Sequence, residues 1–408
     1  MRLEIHGWNR NGKIFYCIVG LLVVICVFFF LGFKKDIWFC DEVYSYMSAN
    51  ADGIKQNIFF QENQWIAGEA VNVYFSANDY TLNFENIANS LYTDHVPLYF
   101  WLLRIASIIN MGSCSKWVGL GINLIFYCIL YFVLWKFFDK AGGVNSFTHL
   151  NVLLSVATVL LHSTTLSEAL TIRMYLLFSL FQIVFLLILD KQDMRPKRMI
   201  WLSIIATFGL LTHFYYWIWL AFFSVAYLVY LAVSIPIFKK RLSMIGKYVG
   251  AMVAALLCTT AIFPNWYANI FINTSTIGYS SLTRVFSRGG LWREFLNAIN
   301  VTCKFFMADS GTLGTLILFL VILILYKSVG KGNYKVWLMI VSSLCYAVFV
   351  THTQPSSEGR YLWSSSLLLY IAFIYMLMEI LENVGNRLRY YWQFVLSLSI
   401  ADFLMSKN

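Results

Sequence analysis

Apolar runs of about 18 to 22 residues recur along this chain, and each is long enough to cross a hydrocarbon core about 30 Å thick. A backbone in lipid has no water to bond, so its N–H and C=O groups must satisfy one another, and runs of this length do so as helices. A transmembrane barrel needs short segments that alternate polar and apolar, and none is visible. The pattern spans 408 residues that are 60% hydrophobic and only 12% charged, where a soluble domain carries roughly 25% charge. The expectation is an all-α integral membrane protein, a polytopic helical bundle of about eleven transmembrane helices. Spans are predicted near 14–34, 117–138, 148–166, 170–190, 199–216, 217–236, 247–264, 310–327, 335–352, 361–382 and 389–405. The whole chain, 1–408, reads as a single transmembrane domain.

Charge orients the bundle. The first run, Ile14 to Phe33, follows Arg2, Arg10 and Lys13 and lacks a small-residue cleavage site after it, so it reads as an uncleaved anchor. With the N-terminus in the cytoplasm, the short inner segments collect Lys136, Lys140, Lys191, Arg195, Lys197, Arg198, Lys239, Lys240, Arg241, Lys247, Lys327, Lys331, Lys335, Arg387 and Arg389. The longer outer loops hold fewer basic residues, which is the positive-inside bias. The formal charge of +10 is thereby spent on orientation and is not a nucleic-acid signal. The expected location is the cell membrane, crossed many times.

The remaining ionisable residues fall on the outer face. Asp41, Glu42, Asp94, His95, Glu168, Arg173, His213, Arg284, Arg288, Glu358 and Arg360 all lie at outer ends of spans or in outer loops. Charge at a membrane boundary is expensive, and its segregation to one face marks that face for chemistry or binding. Two outer loops are long. The first, 35–116, contains His95 to Ile109, which reads as a helix lying in the interface, with Pro97 suited to its first turn. The second, 265–309, carries Arg284, Arg288 and Arg293 among Ser, Thr and Gly.

Each motif has a plain reading beside a chemical one. Asp41-Glu42 either ends the first span in water or supplies a carboxylate for catalysis at the lipid boundary. Asp94 either caps the helix that follows or joins His95 in orienting an acceptor. Arg173, about one turn inside its span, must snorkel, pair or face a wet cavity. Arg360 is an interfacial anchor or a bidentate phosphate ligand. His213, in Thr212-His213-Phe214-Tyr215, sits where aromatic belts form anyway. The eight cysteines are scattered without CxxC or metal spacing, and only Cys40, Cys114 and Cys303 lie near one face. Asp41, Asp94 and His95 are candidates for a divalent metal ion, although their spacing is not diagnostic. No Walker loop, GxGxxG, HExxH or serine elbow is present, so soluble-nucleotide chemistry has no visible site.

These segments, in this order, resemble the polytopic GT-C glycosyltransferases. They are most similar to the bacterial set that includes protein O-mannosyltransferases and the aminoarabinose transferases of lipid A. The matching pieces are Phe39-Cys40-Asp41-Glu42, His95 to Tyr99, Arg173-Met174-Tyr175, Thr212 to Tyr215, and Arg360-Tyr361-Leu362. Two positions depart from the pattern: Val96 replaces a proline, and Thr171 stands where many relatives have an acid, leaving Glu168 as the nearest carboxylate.

The resemblance implies a GT-C type bundle whose first outer loop carries interfacial helices. It implies transfer of a sugar, with inversion, from a polyprenyl-phosphate donor to a glycan, lipid or protein acceptor at the extracytoplasmic face. Asp41 would be the catalytic base and Glu42 its helper, Asp94 and His95 would orient the acceptor, and Arg173, Arg360, Arg284 and Arg288 would hold the donor phosphate. Glu168, His213 and Glu358 are further candidates. Two other classes stay open. A lipid-linked glycan flippase would place its polar residues in broken helices at mid-membrane, and an O-antigen-type polymerase would also use arginine-bearing outer loops.

Overall fold

Every regular element among the described residues is a helix, as run length and hydropathy demand. The structure is a computed structural model that describes residues 4–50, 75–77, 80–90, 95–112, 114–141, 149–189, 194–267, 291–306, 312–329, 332–353 and 359–384. In chain order the helices are α1 (Glu4–Phe33), α2 (Cys40–Asn50), α3 (Phe84–Ser90), α4 (Leu98–Ile109) and α5 (Lys116–Ala141). Next come α6 (His149–Leu160), α7 (Ser163–Leu170), α8 (Tyr175–Ile188), α9 (Pro196–Leu210) and α10 (Phe214–Ser234). The last are α11 (Phe238–Ile262), α12 (Leu291–Phe306), α13 (Thr312–Val329), α14 (Tyr334–Thr353) and α15 (Trp363–Val384), the last preceded by a 3₁₀ turn, Gly359–Leu362.

Among the described residues six helices are long and apolar enough to cross a membrane: those within α1, α5, α10, α11, α14 and α15. A seventh crossing arises if α6 and α7, bent by 62°, act as one broken span. The chain is a multi-pass membrane protein. The spans expected at 148–166, 170–190 and 199–216 are shortened by breaks: α8 has 14 residues and α9 has 15. The span expected at 389–405 lies outside the described residues. Lipid-facing positions carry large exposed apolar side chains, such as Val225, Val229 and Val233 on α10 and Val249, Val253 and Leu257 on α11. The interior is filled by Trp219, Tyr46, Tyr99, Tyr127 and Phe100.

The breaks have local causes. His162 turns its ring back, and its Nδ1 accepts from Thr164 N at 3.3 Å, capping α7. Between α7 and α8 the backbone at Thr171 is extended, and Arg173 N donates to Thr171 O at 2.7 Å. Carbonyls on both sides of this break are also gathered by one side chain. Asn123 Nδ2, fully buried on α5, donates to Ala169 O at 3.0 Å and to Thr171 O at 2.7 Å. Tyr99 of α4 in turn donates to Asn123 Oδ1 at 3.3 Å. Gly119 on α5 permits this closeness, because a Cβ there would stand 2.3 Å from Ile172 Cγ2.

The two ends of the bundle differ. At one end Lys13 of α1 meets Asp139 of α5 at 2.5 Å, and Lys335 of α14 donates to Leu186 O at 2.7 Å. The other end gathers the start of α2, the segment before α4, the α7–α8 break, the α9–α10 turn and the 3₁₀ turn. Leu98 N donates to Leu211 O at 3.0 Å, which ties the start of α4 to the α9–α10 turn. The helix expected at 95–109 is α4, starting after Pro97. It is held by more than one face: Leu98, Tyr99, Phe100, Leu103, Arg104 and Ser107 are all buried. Arg104, 2% exposed, donates to Asn50 O at 3.2 Å and Thr81 O at 2.8 Å, clamping α4 to the end of α2.

Candidate active site

The adjacent acids at the start of α2 have different surroundings, because neighbouring residues on a helix point about 100° apart. Glu42 is wholly buried, and both its oxygens are engaged. Oε2 accepts from Phe39 N at 2.9 Å, the backward half of a capping box. Oε1 accepts from Lys35 Nζ at 2.7 Å and from Ile172 N at 2.7 Å. Glu42 therefore joins the end of α1, the start of α2 and the α7–α8 break at one point. It has no remaining oxygen to offer a substrate in this arrangement.

Asp41 meets two arginines. Its Oδ2 lies 3.4 Å from Arg173 Nη2 and forms a salt bridge with Arg360 Nη1. Three segments far apart in the sequence thus converge on one oxygen atom: the start of α2, the α7–α8 break and the 3₁₀ turn. Ser45, one turn along α2, accepts from Arg173 Nη1 at 3.3 Å and donates to Asp41 O at 3.0 Å. Arg173 is buried, and its Nε has no hydrogen-bond partner. The Asp41 and Arg360 side chains keep 18% and 26% of their surface accessible, so the cluster is reachable from one side. One carboxylate against two guanidiniums leaves a net positive charge, which suits an anion.

Aromatic and imidazole groups surround the arginines. The Arg360 guanidinium lies 5.3 Å from the Tyr361 ring centroid, within cation–π range. Tyr361 packs edge-on to Tyr215 at 5.2 Å and to Tyr175 at 6.4 Å, and Trp363 lies 5.6 Å from Tyr175. His213 caps α10, its Nδ1 accepting from Tyr215 N at 3.0 Å, and stacks on Phe178 at 5.6 Å. Burial and then the Arg173 charge push its pKa down to about 3, so it is a neutral wall of the pocket. His95 is half-buried beside Phe100. Burial, Arg173 and His213 together hold its imidazole well below the usual histidine range, so it too is neutral and can offer one donor and one acceptor to a ligand.

The structure thus brings together Asp41, Arg173, Arg360, His95 and His213, with Glu42 immediately behind. Glu168 stands apart. It is fully buried, its Oε2 accepts from Ser179 Oγ at 2.9 Å, and its Oε1 has no hydrogen-bond partner. Asp94, Arg284, Arg288 and Glu358 lie outside the described residues. Sequence reasoning did not single out Lys35, Ser45 or Asn123. Lys35 had a signal, since it is the last cation before the Asp41-Glu42 pair. Ser45 and Asn123, uncharged and set in helical runs, had none.

Of the expected metal ligands Asp41, Asp94 and His95, Asp94 lies outside the described residues. Among the described residues no three His, Cys, Asp or Glu side chains come together. Asp41 Oδ2 already faces two guanidiniums, and a dication there would meet both positive charges at short range. The eight cysteines, including Cys40, Cys114 and Cys303, are free thiols.

The sequence matches no protein-family model and no curated relative at a significant level. The fold does have counterparts. ArnT from Cupriavidus metallidurans, crystallised bound to undecaprenyl phosphate, superposes with a TM-score of 0.55 at 12% identity, over 93% of this chain and 62% of that one. The present chain therefore spans less than two thirds of that protein's length. The Archaeoglobus fulgidus oligosaccharyltransferase, solved in complex with Zn and sulfate, gives a TM-score of 0.46 at 14% identity, over 88% of this chain and 51% of that one. Asp41, Arg173 and Arg360 thus meet at one end of a bundle that shares the fold of ArnT.

Proposed function

We propose that this protein is a glycosyltransferase that moves a sugar from a polyprenyl-phosphate donor to an acceptor hydroxyl at the membrane surface. The observation that carries the reading is the single carboxylate, Asp41, held between Arg173 and Arg360 at a bundle end open to solvent. The ArnT structure, which holds undecaprenyl phosphate within the same fold, supports the choice of donor. A lipid-linked donor also explains the lack of a nucleotide-binding loop, since the tail stays in the bilayer and the phosphate lies at its edge. The whole of 1–408 serves as one transmembrane unit, with the loops at 35–116 and 265–309 on the active side. The positive-inside bias puts the N-terminus in the cytoplasm and the active site outside the cell membrane.

In this reading the acceptor oxygen attacks the anomeric carbon, and the carbon–oxygen bond to phosphate breaks with inversion. The acceptor proton passes to Asp41. The bonding pair leaves on the phosphate oxygen, where Arg173 and Arg360 meet the developing charge. A positioned base contributes about 10²- to 10⁴-fold, and a fixed donor at the developing anion about 10²- to 10³-fold. His95, neutral and without a hydrogen-bond partner among the described residues, orients the acceptor, with Asp94 preceding it in sequence. Arg284 and Arg288 add to the phosphate site from the second loop. The acceptor is a glycan, lipid or protein hydroxyl. Purified protein in lipid, given a panel of radiolabelled polyprenyl-phosphate sugars, should transfer label from at least one of them. Asp41→Asn should lower that transfer by at least about 10²-fold. Unchanged turnover in the variant would remove Asp41 from the mechanism.

A further inference from the structure

A base works best with a free lone pair and a modest positive surrounding, and Asp41 Oδ2 lacks both. Its Oδ2 is shared by two guanidiniums from separate elements. Both cations are also the groups best placed to hold a phosphate. Arg173 is locked by Ser45 on one side, its Nε lacks a partner, and it is buried too deeply to swing into water. A phosphate oxygen that sits between the two guanidiniums must take the place that Asp41 Oδ2 now occupies.

We propose that Asp41 is a stand-in for the donor phosphate: the carboxylate and the phosphate compete for Arg173 and Arg360, and donor binding releases Asp41 to accept the acceptor's proton. This rests on the transferase reading above and adds an order to it. The free enzyme holds its base neutralised by the two cations. The donor phosphate displaces the carboxylate, and only then can the acceptor hydroxyl lose its proton. After transfer, the carboxylate returns to the arginines and helps expel the polyprenyl phosphate. Deprotonation without donor is thereby suppressed. No bond is made or broken in the exchange itself, only ion pairs.

The exchange predicts a sign that a simple base does not. Removing a competitor tightens a ligand by the reciprocal of the fraction of time the site stood free. Asp41→Asn, and separately Asp41→Ser, should therefore bind undecaprenyl phosphate about tenfold more tightly than the parent while losing transfer. Binding is read with radiolabelled undecaprenyl phosphate on protein in nanodiscs, with undecaprenol as the uncharged control. The gain should shrink when Arg360→Gln is added, because one of the contested cations is then gone.

Without ligand both Asp41 variants should melt below the parent, since buried Arg173 and partly exposed Arg360 have lost their counter-charge. Undecaprenyl phosphate should restore the loss. Equal or weaker binding by the Asp41 variants would overturn the exchange yet leave the transferase reading intact if transfer is still lost. Failure of both variants to fold even with undecaprenyl phosphate present would also overturn it, because the phosphate is expected to replace the missing carboxylate. If the parent neither prefers undecaprenyl phosphate over undecaprenol nor transfers any sugar, the transferase reading fails as well.

Discussion

Glu42→Gln is the sharpest probe of how the two adjacent acids divide their work. The replacement keeps shape but turns one acceptor oxygen into an NH₂ group. If that group takes the Oε1 position, it faces Lys35 Nζ and Ile172 N, both donors now at 2.7 Å. If it takes the Oε2 position, it faces Phe39 N, now at 2.9 Å. The second choice costs less, yet it strands one backbone N–H, worth about 1–3 kcal/mol when buried. It also leaves Lys35, whose side chain is 11% exposed, without its counter-charge.

Removing one partner of a buried pair costs about 3–5 kcal/mol, which contains most of the effect. An unfolding entropy of about 2.1 cal/mol/K per residue converts this loss into a midpoint shift of about 4–6 °C for a chain of this length. A micelle-denatured state that keeps its helices has less entropy to gain, so about 4 °C is the lower bound. Thermal unfolding in detergent, followed by tryptophan emission or circular dichroism, reads the shift. Lys35→Met added to Glu42→Gln should recover part of it, because the stranded ammonium is then gone. A midpoint within about 1 °C of the parent, the range of an ordinary surface change, would refute the assignment of Glu42 as a buried strut.

Other substitutions test the supports of the site. Gly119→Ala drives a methyl into Ile172 Cγ2, 2.3 Å away. Its overpacking cost of about 1–3 kcal/mol falls beside Arg173, so transfer should drop further than the thermal midpoint suggests. Asn123→Ala leaves Ala169 O without its side-chain donor and Thr171 O with Arg173 N alone, and the expected loss of about 1–3 kcal/mol should appear in the same melts. His213, with its pKa depressed to about 3, stays neutral in the folded state while the unfolded chain protonates near 6.5. A histidine with a depressed folded pKa makes stability fall as pH drops below that unfolded value, at up to about 1.4 kcal/mol per pH unit until the folded pKa is reached. His213→Asn keeps the cap on α10 without the titration, so its midpoint should depend less on pH between 4 and 6.5; an unchanged slope would place the proton elsewhere.

Hydropathy made the bundle legible, because a span must be apolar along its whole length. Breaks were less visible. His162 and the Thr171–Met174 stretch interrupt helices through side-chain caps and a short backbone bond, and neither changes hydropathy enough to register. Asp41, Arg173 and Arg360 could be grouped from membrane side and order alone, since all three sit at span ends where only one face is wet. Their convergence on one oxygen could not, as nothing in the chain records which helix stands beside which. Asp41 and Glu42 looked equivalent in sequence. Only the rotation of α2 against the α7–α8 break separates an acid that holds two arginines from one that holds a backbone. Ser45 and Asn123 are ordinary polar residues in apolar company, and their roles exist only through their neighbours.

Locating the phosphate is the most direct test of whether Arg173 and Arg360 hold the donor. A cryo-electron-microscopy structure of the purified protein in nanodiscs with undecaprenyl phosphate should show phosphate density touching both Arg173 and Arg360, with the Asp41 carboxylate withdrawn from them. Phosphate density bound elsewhere on the bundle, while Asp41 keeps both arginines, would contradict it.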